Sequence, residues 1–404
     1  MKTDWPKLRL LTVAGAISWL GSTLTTFTTV LRYKDEVGPP GVSAIMLAMI
    51  IPTILAAPYG GLLADRVSLR VLVPSLLGVM GLSSLMLSLQ PGFGWSLVFL
   101  ALTATCGTPV GASFQAAIAQ YATPEDLPRV NALMQTGNSV GGMLGPGFAG
   151  LLIRTTGSYV WPFVIDGLSF WLLAGAVLAL KFNRQPEPHE DGEKPKAREG
   201  LAVIFSNPLV RALVIMLGVL ILSISVLNVG EVFLVMNVLG ADQFTYGIVS
   251  AGFSLGMVLG SIVISRIKVA DRRHAPIVVI AVSLLSLFVG VIAFAWHWAV
   301  VAVIWFLAGA VNAALNSYGL SMLITGTPDK VRGRVLAALQ GIFSSANVIS
   351  MAIGGVLIGI FQVRTVFLWA GIISAVALLI FAPAVLRSNR EKHLLGDEVA
   401  GVAN

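Results

Sequence analysis

Twelve runs of roughly twenty mostly apolar residues, separated by short polar breaks, constrain this chain more than any other feature, because that is the length at which a helix crosses the hydrocarbon core of a bilayer. In order they are 8–31, 42–63, 71–90, 95–120, 131–153, 159–181, 209–236, 243–265, 275–295, 297–324, 334–360 and 364–386. The runs at 95–120 and 297–324 exceed one crossing, so tilt or a cytoplasmic extension is expected there. Hydrophobic residues make up 56% of the 404 and charged residues 11%. A soluble domain has ~45–50% and ~25%, and a fold with so few charges cannot wet its own surface. The first run continues past the length of a signal peptide, with no small-residue cleavage site before Arg32-Tyr33-Lys34, so it reads as a retained helix. The single cysteine, Cys106, falls inside the fourth run, which leaves no disulfide and no thiolate metal site to expect.

The net charge of +7 would point a soluble protein toward nucleic acid. Its distribution gives another account. With both termini in the cytoplasm, 22 of the 26 Lys and Arg residues fall on the inner side, and only Arg32, Lys34, Arg154 and Arg364 fall outside. That asymmetry is the positive-inside signature. It predicts a bacterial-type inner membrane protein with N and C termini inside, and a shift of one helix would destroy it.

Only one long polar stretch interrupts the chain, "NRQPEPHEDGEKPKAR" at 183–198. Its Pro, Glu and Lys content predicts a solvated linker. The organisation expected is a six-helix bundle over 1–181, a cytoplasmic linker over 182–208 and a second bundle with a short tail over 209–404. The halves echo each other. Gly60-Gly61-Leu62-Leu63-Ala64-Asp65-Arg66 ends the second run, and Gly260-Ser261-Ile262-Val263-Ile264-Ser265-Arg266 ends the eighth. Pro124-Glu125-Asp126-Leu127-Pro128-Arg129-Val130 precedes the fifth, and Pro328-Asp329-Lys330-Val331-Arg332-Gly333-Arg334-Val335 precedes the eleventh. Parallel repeats about a midplane site are a transporter architecture. The expected fold is therefore an all-α membrane protein of 12 transmembrane helices in two pseudo-symmetric six-helix bundles.

These features resemble the major facilitator superfamily over essentially the whole chain. Its loop signature after the second helix, G-x-L-a-D-R-x-G-R-K/R, is matched here by Gly61, Asp65, Arg66 and Arg70, with Ser68 and Leu69 departing from it. The resemblance implies a conformational latch in which Asp65 pairs with Arg129 or a helix end on the cytoplasmic side. An ordinary interfacial ion pair, worth ~0–1 kcal/mol, is the plainer reading. In the fifth run Gly137, Gly141, Gly145, Pro146 and Gly150 resemble the antiporter motif G-x-x-x-G-P-x-x-x-G, which in the family marks exporters. Glycines four apart let helices approach closely, and Pro146 removes a backbone donor. Val238–Gly247 and Arg129–Leu133 are similar to the drug:proton antiporter branch that holds macrolide-efflux proteins and enterobactin exporters.

Charges inside a bilayer cost at least ~2.5–3.5 kcal/mol, which makes each a functional candidate. Glu231, in "LNVGEVFLV", and Asp166, in "PFVIDGLSFW", are the proton-coupling candidates, with Glu231 preferred. The plainer reading of either is an interfacial acid at the end of a helix that stops earlier. Asp35 and Glu36, beside Arg32 and Lys34, read as a solvated outer loop. The branch's acid in the first helix and basic motif in the fourth are both missing, since Ser22 and "TATCGTPVGASFQAA" occupy those regions. Gln115, Gln135, Asn138, Asn228, Asn312, Asn316, Gln340 and Asn347 are candidate cavity amides, and Phe27 is a candidate aromatic wall. Amides of this kind also serve as interhelical glue.

A largely apolar cavity with scattered amides and an acid or two suits amphipathic substrates better than sugars or phosphates. The function expected is a secondary active exporter of drug-, macrolide- or siderophore-like molecules, working by alternating access in exchange for protons. An uncoupled facilitator, an importer and a lipid-like flippase are the alternatives within the fold. His189, His274, His297 and His393 are scattered, so no catalytic constellation, metal site or cofactor is expected, and an enzyme or receptor is remote. The partners expected are a small-molecule substrate, protons and membrane lipids, with no nucleic acid, around a monomer.

Overall fold

The computed structural model describes residues 3–123, 125–180, 204–206, 208–267, 269–325, 327 and 331–402. Every regular element among the described residues is helical. The polar stretch at 183–198 lies outside them.

The first element, Trp5–Arg66, holds 62 residues. Drawn straight it would span about 93 Å, roughly three hydrocarbon thicknesses, so it has to fold back. Gly38 breaks it at φ 62°, ψ −167°, a conformation open to glycine because it lacks Cβ. Pro39 and Pro40 follow and cannot donate backbone hydrogen bonds. The Thr26 hydroxyl lies 3.6 Å from the Met49 sulfur, nearly symmetric about Gly38, so the two arms run antiparallel. The arms, 5–37 and 39–66, are α1 and α2. The sequence reading placed a loop across 32–41. The structure instead keeps both arms helical up to the glycine, and Lys34 is 6% exposed beside Asp35 rather than solvated. Arg32 and Glu36, one helical turn apart, pair at 3.5 Å and support this last turn.

The first half continues with α3 (Leu69–Ser88), α4 (Phe93–Tyr121), α5 (Leu127–Thr156) and α6 (Val160–Ala179). The second half has α7 (Pro208–Val232), which widens into a π turn over Phe233–Val238, then α8 (Gln243–Arg266) and α9 (His274–Ile292). It ends with α10 (Trp298–Thr325), α11 (Arg332–Ile360) and α12 (Val363–Val402). Ten stretches among the described residues are long and apolar enough to cross a membrane, the first of them covering both arms of the hairpin. The Gly-rich α5 is not among the ten, because six glycines dilute its hydropathy. Glycine ends α5 as well: Gly157 closes it in the left-handed region at φ 64°.

The chain forms two compact units, Met1–Gly192 with Gly240–Ala251, and Glu193–Leu239 with Gly252–Asn404. In the first unit α3 packs against α4 and α6, and the α1–α2 hairpin packs against α4, α5 and α6. In the second unit α9 packs against α10 and α12, and α7 packs against α11 and α12. Advancing each first-unit helix number by six reproduces these second-unit pairs. The duplication is therefore one of helix packing and not only of loop sequence. The core of the first unit gathers Leu11, Leu77, Met80, Cys106, Phe170 and Leu173, all buried.

Candidate functional site

The α1–α5 seam shows what the spaced glycines do. A Cβ on Gly137 would lie 2.9 Å from the Ala16 Cβ. One on Gly141 would lie 3.1 Å from the Leu20 nitrogen and 3.2 Å from the Ala16 oxygen. One on Gly145 would strike the Thr23 side chain, whose hydroxyl also donates to the Gly141 oxygen at 3.3 Å. Three glycines four apart thus seat α5 closely on α1, with Gly141 against its backbone. Further along α5, a Cβ on Gly150 would meet Phe244 Cα at 2.8 Å, and one on Gly247 would meet the Pro146 carbonyl carbon at 2.8 Å. The 240–251 segment groups with the first unit through these contacts. Arg154 reaches Asp242 at 3.5 Å and lies 5.7 Å from the Phe244 ring. Asp242 also accepts from the Thr245 amide at 2.8 Å. A side-chain hydrogen bond with Thr245 first, then this backbone amide, and after them the Arg154 charge, hold its carboxyl below the usual range. Phe27 is 7% exposed and stacks on Tyr246, with ring centroids 4.7 Å apart. It therefore faces a protein ring.

Asp166 is 1% exposed, on α6 between α1 and α3. Its Oδ2 accepts from the Thr25 hydroxyl and the Ser84 hydroxyl, each at 2.6 Å. Its Oδ1 is buried without a hydrogen-bond partner, as is the Thr28 hydroxyl. Oδ1 sits against Gly21, where a Cβ would come within 2.7 Å of it. The signal for this cluster was present in the sequence as Thr25 and Ser84, but nothing in spacing ties residues on three helices to one acid. Glu231 is half-buried on α7, two residues before the π turn, a distortion that recurs at functional sites.

Gln115, Gln135, Asn228, Asn316 and Gln340 are exposed, and Asn138, Asn312 and Asn347 are half-buried. Asn316 donates to the Asn312 oxygen at 2.7 Å, one turn away on the same helix. Gln340 reaches the Ser344 hydroxyl at 3.5 Å, and the Asn347 oxygen has no hydrogen-bond partner. Of the latch residues, Gly61 and the side chains of Asp65 and Arg66 lie outside the described set. Arg70 is exposed. The Arg129 guanidinium sits 4.7 Å from the Trp5 ring, a cation–π contact that the sequence reading missed. Among the described residues, no group of three or more His, Cys, Asp or Glu could hold a metal ion.

Paired six-helix units with duplicated packing define a multi-pass membrane protein of the transporter class. The chain belongs to the Major Facilitator Superfamily, whose family model matches residues 11–233 and again 213–401. It is a transporter rather than an enzyme. It is 25% identical over 409 residues to the multidrug resistance protein MdtG of Escherichia fergusonii, covering 94% of this chain and 96% of that one. Among solved structures it is similar to a POT family transporter in complex with 5-aminolevulinic acid, with a TM-score of 0.72 at 14% identity over 94% and 96% of the two chains. The nucleoside transporter NupG gives 0.71 at 13% over 94% and 98%. A bacterial homolog of the human lysosomal transporter Spinster gives 0.65 at 15% over 95% and 96%. At these identities the structures speak for the fold.

Proposed function

We propose that this transporter is a secondary active exporter of small amphipathic molecules, exchanging them for protons by alternating access. In this reading it sits in a bacterial-type inner membrane as a monomer, with both termini cytoplasmic and bundles over 1–181 and 209–404. The observation that carries the reading is the set of exposed amides, Gln115, Gln135, Asn228, Asn316 and Gln340, on helices otherwise built for lipid. An exposed amide is stable at membrane depth where its face lines a watered path. Within each unit such a face is polar enough for an amide or amine and too weakly charged for a phosphate. The multidrug resistance relative supports the substrate class and the direction.

Glu231 and Asp166 are the groups proposed to carry protons. Glu231 is placed to exchange with water because it is half-buried, whereas Asp166 is sealed between helices. Gly61, Asp65, Arg66, Arg70 and Arg129 form the proposed cytoplasmic latch. The test uses inside-out vesicles with an acidic interior and an amphipathic cationic dye. Dye accumulation should follow the pH gradient, and Glu231→Gln should reduce it to the gradient-free rate. Unchanged accumulation in that variant removes Glu231 from the mechanism, and accumulation indifferent to pH removes proton exchange.

A further inference from the structure

The second unit carries an apolar groove that holds none of the candidate site residues. It lies among α8, α9 and α10, has a volume of about 440 Å³, and is walled by Leu259, Val263, Ile277, Ile280 and Leu284 with Ala310 at its base. Its depth has a local cause. A Cβ on Gly260 would lie 2.7 Å from Ala310 Cα, and one on Gly309 would lie 2.8 Å from the Met257 nitrogen. The α8 and α10 backbones therefore touch, and the larger side chains beside the glycines stand up as walls. Val263 is 56% and Ile280 57% exposed.

One end of the groove opens at the α8–α9 connection. Val263 and Ile264 lie within the last turn before Arg266, and Ile277 lies one turn after Arg273. That connection holds Arg266, Lys268, Arg272 and Arg273 against the single acid Asp271. Arg266, Arg272 and Arg273 are exposed, and Asp271 lies 3.8 Å from the His274 ring nitrogen. An acyl-sized apolar slot ending under a cationic loop is complementary to one kind of molecule available in a membrane, a lipid with a negative headgroup.

We infer that this groove is a binding site for an anionic phospholipid. One acyl chain lies along Leu259, Val263 and Ile280, and the phosphate sits on the arginines of the α8–α9 connection. Basic pockets at the membrane face bind such headgroups, and apolar contact along the chain adds to the affinity.

The test is native mass spectrometry on the full-length protein, titrated with phosphatidylglycerol or phosphatidylcholine of the same chains. Phosphatidylglycerol should bind about tenfold or more tightly, the preference expected from one to two basic contacts. Arg266→Gln combined with Arg272→Gln and Arg273→Gln should bring phosphatidylglycerol down to the phosphatidylcholine level. Val263→Trp, on an exposed wall, should weaken both lipids. If the triple variant fails to fold, Arg266→Gln alone should still weaken phosphatidylglycerol selectively. Equal binding of the two lipids, a preference that survives loss of the arginines, or competition by glycerol phosphate as effective as by the intact lipid would each overturn the site.

Discussion

The two units repeat the same helix contacts but join one equivalent seam with different chemistry. Between α3 and α6 the first unit places Asp166, held by Thr25 and Ser84 at 2.6 Å each. Between α9 and α12 the second unit places two neutral hydroxyls, Ser286 and Ser374, 2.6 Å apart. Packing is therefore achievable at this seam without an acid. An acid kept at 1% exposure inside lipid carries a solvation cost that the serine pair avoids. We propose that the difference reflects proton exchange at Asp166 in addition to its part in joining helices.

The largest effect that can break this comparison comes from removing the acid outright. Asp166→Leu strands the Thr25 and Ser84 hydroxyls in a dry seam and adds bulk against Gly21. Buried polar groups left unpaired cost about 1–3 kcal/mol each, so the variant should be the least stable of the set in thermal unfolding. Ser374→Ala in the other unit should cost only about 1 kcal/mol. Equal losses would erase the distinction between the seams.

Next comes the placement of the close backbone approaches. The first unit has its glycine ladder between α1 and α5, and the second makes its closest backbone approach between α8 and α10. Gly141→Leu should destabilise the protein by about 1–3 kcal/mol through overpacking, because its Cβ meets backbone at 3.1 and 3.2 Å. Gly175→Leu, with nothing within 4 Å, is the matched control and should leave the unfolding temperature nearly unchanged.

The smallest effect concerns the exposed Arg154–Asp242 pair, for which surface precedent is ~0–1 kcal/mol. The Asp242 carboxyl is held below its ordinary value, chiefly by Thr245. Its contribution is therefore full above the unfolded carboxylate range near pH ~4 and is lost as pH falls through the lower folded value. Asp242→Asn should lower stability slightly at pH 7, and the gap from the unchanged protein should close toward pH 3. A gap that widened on acidification would contradict the assignment.

Much of the fold was legible in the sequence because bilayer thickness imposes a fixed length on each apolar run. The glycine ladder was legible too, since a four-residue spacing on one helix is a local pattern. The first hairpin was misread because Arg32, Lys34, Asp35 and Glu36 look like a loop, while a single left-handed glycine suffices to reverse the chain. The site was less legible. Asp166 was singled out by its charge, but its partners come from helices 82 and 141 residues away. Phe27, a candidate aromatic wall, stacks on Tyr246, a residue more than two hundred positions distant. Such pairings are set by tertiary packing, which no single-helix pattern records.

Asp166→Asn tests the central claim most directly. The amide oxygen can still accept from Thr25 and Ser84, so folding and substrate binding should persist while the group can no longer take up or release a proton. Measured as pH-driven dye accumulation in proteoliposomes, transport should fall to the gradient-free level with thermal stability nearly unchanged. Full pH-driven transport in a stable Asp166→Asn protein would show that the buried acid is only structural, and that the asymmetry between the two seams has no part in coupling.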